Sequence, residues 1–220
     1  SIFINKSQFN KKKDFKNYPR NINKDLKILR KLKVDYLLMP NEKDIYSSNK
    51  QKKIKINKKD LIMCAKFRSG HFEGVLAVIN QFLIKIKPSV MFLGKKDFQQ
   101  IYLIKKFISG KFKTKIVQCK TIRNKNGLPY SSRNVLLNKK NFQTAVNVSQ
   151  IIKKFYSTLK LNFKKTKDIY LIKNKIINKN VKLEYLEIRN KLNLSKKINK
   201  KNFKIFIAYY VNGIRIIDNY

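Results

Sequence analysis

The stretch that constrains this chain most tightly runs from Val90 to Ile101. Val90 to Leu93 is a continuous apolar run between Pro88 and Gly94, the pattern of a strand covered on both faces. Asp97 stands where a helix N-cap is expected, and Phe98, Ile101, Ile104 and Ile108 then recur at helical spacing. The junction carries Lys95, Lys96, Asp97, Gln99 and Gln100. Open parallel sheets bind ligands at the carboxyl ends of their strands, against helix N-termini that favour anions. The stretch therefore reads as a phosphate-handling corner, although many strand-to-helix turns carry Gly and Lys and serve no ligand.

The neighbouring segments supply the sheet. Ser1 to Asn5 reads as a buried strand, Asn23 to Leu32 as a helix, and Val34 to Met39 as a strand stopped by Pro40. Residues 41 to 53 are polar and aperiodic, the mark of a surface excursion, and Lys53 to Ile56 alternates weakly as a short strand would. Val75, Val78, Ile79, Phe82, Leu83 and Ile86 match one helical face without a gap. A further strand is placed near Thr114 to Val117. Strands and helices alternating in this way argue for a parallel sheet with covering helices. The Gly- and Pro-containing loop from Thr121 to Asn134 breaks the pattern and marks a domain boundary. Beyond it come a helix (Phe142 to Leu159), an irregular basic stretch (Lys164 to Asn180), alternation at Val181, Leu183 and Tyr185, and two strands joined near Asn212-Gly213. The fold class is thus α/β, with a smaller C-terminal α+β unit.

Charge is the loudest compositional feature, at +41 over 220 residues, and it points first to nucleic acid. The excess is almost all Lys, in a chain also crowded with Asn and Ile, the bias an AT-rich genome would generate. Arginine, whose planar fork reads phosphate and base edges, occurs only seven times. A solvated lysine surface is the favoured reading, and nucleic-acid binding is expected to be non-specific. Cys64 and Cys119 fit no metal or redox spacing and read as buried reduced thiols. With one histidine, His71, and two cysteines, a structural zinc site is not expected. His71 itself reads as a structural residue or one that supports a ligand contact. No run is long enough to span a bilayer and no signal peptide precedes Ser1, so the cytoplasm is the expected compartment.

Several short clusters stand out against this background. They are Ser1 to Phe9, Tyr18-Pro19-Arg20, Arg68-Ser69-Gly70-His71-Phe72 with Gly74-Val75, Gly94 to Gln100, Gly127-Leu128 with Ser131 to Asn134, and Ile217-Asp218-Asn219. In order and spacing they resemble pantothenate synthetase (pantoate–β-alanine ligase). The resemblance implies a Rossmann-like, nucleotidyltransferase-like sheet in a nucleotide- and pantoate-binding domain over residues 1–121, its first strand and helix missing. It also implies a C-terminal lid domain over residues 122–220 and a homodimer. The implied reaction is a two-step ligation in which ATP, with Mg2+, adenylates (R)-pantoate and β-alanine then displaces AMP.

By the same resemblance Lys96 contacts the β- and γ-phosphates and Asp97 the ribose side, while Gly94 and Lys95 shape the turn. Ile122 and Tyr130 flank the nucleotide, and Ser131, Ser132 and Arg133 hold its phosphates, Lys96 and Arg133 being the catalytic pair. Gln8 and Gln100 hydrogen-bond pantoate with Asn5 nearby, and Gln8 also serves β-alanine. Lys96 and Gln100 lie four apart, on one face of a helix that starts there. A closing loop at residues 41–53 or Arg68 to Phe72 would keep water from the acyl phosphate.

Departures from the family pattern are also legible. Lys6-Ser7, Ser69, Lys95, Asn124, Asn126 and Pro129-Tyr130 replace the family's usual residues, and at Pro129-Tyr130 the adenine contacts are expected to differ. The family's nucleotide-binding loop with two histidines precedes the position of Ser1, so little activity is expected of these 220 residues alone. The alternative is a basic RNA-associated protein that kept the old fold.

Overall fold

In the computed structural model the described residues are 1–10, 12–46 and 54–220. Their contacts divide the chain into two compact units, Ser1–Met91 with Leu103–Lys115, and Phe92–Tyr102 with Ile116–Tyr220.

The first unit is mostly helical: α1 (Lys12–Lys16), α2 (Ile22–Lys31), α3 (Glu42–Tyr46), α4 (Cys64–Phe67) and α5 (His71–Ile86), with 3-10 turns at Lys6–Gln8 and Lys58–Asp60. The Asn21 side chain accepts the Lys24 N–H and satisfies one of the open donors at the start of α2. The two predicted strands at 1–5 and 34–39 are absent. Both segments are irregular, and Ile2 N–H donates to the Leu38 carbonyl at 2.9 Å. An apolar pattern makes a strand only where a ladder of such bonds forms, and one bond is not a ladder. Tyr36 is 93% exposed.

The polar stretch after Asn41 is not wholly excursion. Asp44 N–H donates to Asn41 Oδ1 (2.9 Å) and Asn41 N–H to Asp44 Oδ2 (2.7 Å), a reciprocal cap that starts α3. Ile45 is then buried. Residues 47–53, the rest of the predicted excursion and the start of the predicted short strand, lie outside the described residues, and residues 54–56 form no strand.

β1 (Val90–Gly94), α6 (Phe98–Ile108) and β2 (Lys115–Cys119) follow, β1 and β2 forming a parallel two-stranded sheet. The helix between them is the crossover that parallel neighbours require. β1 is not covered on both faces, since its burial alternates and Phe92 is 68% exposed. Asp97 is not a cap either: Lys95–Asp97 forms a 3-10 turn that runs directly into α6, so Asp97 already lies on the helical path. Cys64 is buried as expected, whereas Cys119 is exposed.

In the second unit the core gathers on α7 (Lys139–Leu161), which lies against α8 (Ile169–Ile177) and the antiparallel sheet of β3 (Lys182–Asn190), β4 (Phe203–Val211) and β5 (Ile214–Asn219). Ala145, Val148, Ile152 and Leu159 make the buried face of α7. α8 was not expected. Its apolar positions Ile169, Ile172 and Ile176 are spaced as one face, but the exposed Tyr170, Leu171 and Ile177 blur the pattern. β4 and β5 turn at Asn212 (φ 46°) and Gly213 (φ 77°), the consecutive left-handed pair that an Asn-Gly hairpin supplies.

Candidate active site

In the first unit the Gln8 segment is held from behind. Asn5 Oδ1 accepts from Ser7 N–H (3.1 Å), Ser7 Oγ (2.9 Å) and Tyr46 Oη (2.9 Å), while its Nδ2 donates to the Gly74 carbonyl (3.2 Å). At 1% exposure, Asn5 spends its amide inside the protein, building the turn that ends at Gln8. The Gln8 carbonyl accepts from His71 Nδ1 (2.8 Å) and an Arg68 Nη (3.0 Å). With Nδ1 donating, His71 Nε2 is left as the acceptor for the other Arg68 Nη at 2.8 Å. His71 therefore fixes the chain at Gln8. Gly74 lets α5 come this close, because a Cβ there would sit 2.8 Å from Ser7 Oγ and 3.0 Å from its carbonyl oxygen.

Lys95 to Gln100 lies in the second unit, and so does the loop from Ile122 to Arg133. Gly94 has φ −73° and ψ 126°, backbone that any residue adopts, so the turn does not require glycine. A Cβ there would meet nothing within 4 Å, which leaves this backbone open to an incoming group. Lys96 Nζ stands 3.7 Å from Asp97 Oδ1. Of the two glutamines, Gln99 is buried and Gln100 half-buried.

The loop after β2 has a shape that its composition did not announce. Arg123 and Pro129 form an antiparallel bridge, Tyr130 N–H donates to the Ile122 carbonyl (3.1 Å), and Gly127 turns the chain at φ +89°. This backbone pairing brings Ile122 and Tyr130 together, both with exposed side chains. Ser131 caps the 3-10 turn Ser132–Leu136, its Oγ accepting the Arg133 N–H at 3.3 Å. Asn134 Nδ2 donates to the Pro129 carbonyl (3.0 Å), and its Oδ1 is buried without a partner.

Three residues at the C-terminus hold the Lys95–Lys96 turn and the Arg123 loop within the second unit, and two of them, Asp218 and Asn219, belong to a sequence cluster to which no role is assigned. Both Nη of Arg123 bond the Asp218 carboxylate (2.7 and 2.8 Å), and its guanidinium lies 4.2 Å from the Tyr220 ring centre. Burial pushes the Asp218 carboxyl above the usual carboxylate range, and the Arg123 pair pulls back against it. Burial, reinforced by Asp218, lifts the Tyr220 phenol to about 12. Its Oη is 2.7 Å from Ser149 Oγ. Asn219 Nδ2 donates to the carbonyls of both Lys95 (3.0 Å) and Lys96 (2.8 Å).

The family profile described as pantoate–β-alanine ligase matches residues 1–220. This chain belongs to the pantoate–β-alanine ligase family. The pantothenate synthetases of Francisella tularensis subsp. mediasiatica and Francisella philomiragia are each 36% identical to it, and the match covers 100% of this chain and 77% of theirs. A crystal structure of pantoate–β-alanine ligase from Francisella tularensis, complexed with beta-gamma ATP and beta-alanine, superposes with a TM-score of 0.84 at 34% identity, covering 100% of this chain and 77% of that one. Pantothenate synthetase from Thermus thermophilus shares the fold, with a TM-score of 0.89 at 22% identity, covering 100% of this chain and 81% of that one. The α/β fold and the membership of a ligase family both stand, and the RNA-associated reading is without support. No helix among the described residues is long and apolar enough to cross a membrane.

Proposed function

We propose that this pantoate–β-alanine ligase family member joins (R)-pantoate to β-alanine through a pantoyl adenylate. A pantoate carboxylate oxygen attacks the α-phosphorus of ATP, the C(=O)O–P bond forms, and the bond to pyrophosphate breaks. The β-alanine nitrogen then attacks the acyl carbon, the C–N bond forms, AMP leaves with the C–O electrons, and the nitrogen sheds a proton.

Both anionic partners repel each other, so fixed positive charge is what the site has to supply. Lys96 is assigned to the β- and γ-phosphates and Arg133, with Ser131 and Ser132, to the phosphates on the loop side. Gly94, Lys95, Asp97 and the exposed pair Ile122 and Tyr130 form the remaining nucleotide contacts. The open backbone at Gly94 and the unpartnered Asn134 Oδ1 fit an arriving nucleotide. Pantoate is assigned to Gln8 and Gln100, with Asn5 and His71 holding Gln8 in place, and Gln8 is assigned to β-alanine as well. Mg2+ would neutralise phosphate charge.

The functional division at residues 121 and 122, the homodimer and the cytoplasmic location belong to the same proposal. The observation that carries the reading is Lys96 on a turn at the carboxyl end of β1, in a chain that matches the family throughout. Pantoate-dependent release of pyrophosphate from ATP tests it. In a form extended to the length of its relatives, Lys96→Ala should lower that rate by about 100-fold or more, the usual cost of removing one electrostatic donor from a transition state. A rate equal to that of the unaltered protein would sink the assignment.

A further inference from the structure

The turn that bears Lys96 is held by the β4–β5 hairpin. Antiparallel partners present their side chains on the same face of a sheet, and Phe206 and Asn219 are partners in the β4–β5 register. Asn219 touches the turn and Phe206 the first residue of α6 after it. The Phe206 ring lies 5.7 Å from the Phe98 ring, and the Asn219 amide donates one hydrogen to the Lys95 carbonyl and the other to that of Lys96. Lys204, two residues from Phe206 and so on the same face, sets its Nζ 5.2 Å from the centre of the Phe98 ring.

The next residue back along β5 points to the opposite face, where Asp218 grips Arg123 and through it the loop that carries Ile122 and Tyr130 to Arg133. Arg123 also donates to the Asn219 carbonyl (3.1 Å), and the Asn219 N–H is taken by Asp218 Oδ1 (2.7 Å). Asn219 is 5% exposed, so its amide cannot exchange these partners for water without opening the strand.

We propose that Asn219 is a positioning residue for nucleotide binding: from the end of β5 it clamps the Lys95–Lys96 backbone and thereby sets where the Lys96 ammonium meets the phosphates. The proposal rests on the assignment of Lys96 to ATP. It predicts that the donor pair matters and that the volume of the side chain does not. Asn219→Ala removes both, whereas Asn219→Leu keeps a similar volume and removes only the donors.

Amide hydrogen exchange without nucleotide and ATP affinity by calorimetry decide the matter together. Both variants should exchange faster over residues 94–100 while β3 and β4 keep their protection, and both should bind ATP about tenfold more weakly, the worth of roughly 1.4 kcal/mol of lost hydrogen bonding. Unchanged exchange at 94–100 would overturn the clamp. Recovery in Asn219→Leu would make the role one of packing, and loss of β3 and β4 protection in both variants would make it one of global structure. Either result overturns the proposal. Faster exchange with unaltered ATP affinity would sever the clamp from nucleotide binding and overturn it too. If the unaltered protein bound no ATP, the assignment of Lys96 would fall and the positioning role with it, while the exchange data would still judge the clamp.

Discussion

Among the described residues, Lys204 is the lysine whose surroundings depart furthest from the solvated norm of this chain. Burial, with Lys95, Arg123 and Lys191 outweighing the pull of Asp218, lowers its ammonium to about 8. A depressed amine means that the fold favours the neutral form. The stability this contributes is full above about 10.5 and is lost as pH falls through about 8. Replacing the charge with Lys204→Met should therefore raise the melting temperature at pH 7, by about 2–4 °C for each kcal/mol recovered, and the gain should shrink towards pH 10. Scanning calorimetry at the two pH values reads the difference directly, and an equal gain at both would refute the account. Gly127 is a second residue-scale case. Its φ of +89° is left-handed, and its carbonyl accepts from Arg123 and Ser149. Gly127→Ala should cost about 1–2 kcal/mol in urea denaturation through backbone strain alone.

At the level of elements, α5 approaches the Lys6–Gln8 turn closely at Gly74. Gly74→Ala would press a methyl group against the Ser7 carbonyl as well as its hydroxyl, and backbone cannot swing aside as a side chain can. The expected cost is about 1–3 kcal/mol, accompanied by weaker pantoate binding because the Gln8 segment is displaced. Titration calorimetry with pantoate checks the second effect, and unaltered affinity at reduced stability would detach Gln8 from that role. α8 makes the complementary case. Ile176 is completely buried against the sheet and α7, so Ile176→Ala should cost about 2–5 kcal/mol by denaturant titration. Periodicity does not reveal the helix because Tyr170, Leu171 and Ile177 are apolar or aromatic yet exposed, which blurs the single face made by Ile169, Ile172 and Ile176. β3 to β5, by contrast, were readable from alternation and from Asn212-Gly213.

Over the whole molecule, 53 basic residues set against 12 acidic ones leave a net charge of +41, which makes self-repulsion the dominant long-range electrostatic term. Raising salt from about 50 to about 500 mM shortens the screening length several-fold, so the melting temperature should rise with ionic strength. A fall would show that the few specific pairs, Asp60 with Lys106, Asp218 with Arg123 and Glu184 with Arg215, outweigh the general repulsion.

What the amino-acid order determined by itself was local or motif-bound. Helical spacing placed α2, α5, α6 and α7, an Asn-Gly pair placed the β4–β5 turn, and co-ordered clusters pointed to the family. The two N-terminal strands failed because their apolar pattern had no ladder to join, and Asp97 failed as a cap because a 3-10 turn had already begun at Lys95. Only the tertiary structure decided how the site segments are held. Asn219 reaches the carbonyl of Lys95 across 124 residues, and Asp218 reaches Arg123 across 95. No periodicity encodes such a pairing. It depends on the β4–β5 register, which sets Phe206 and Asn219 side by side on one face and turns Asp218 to the other.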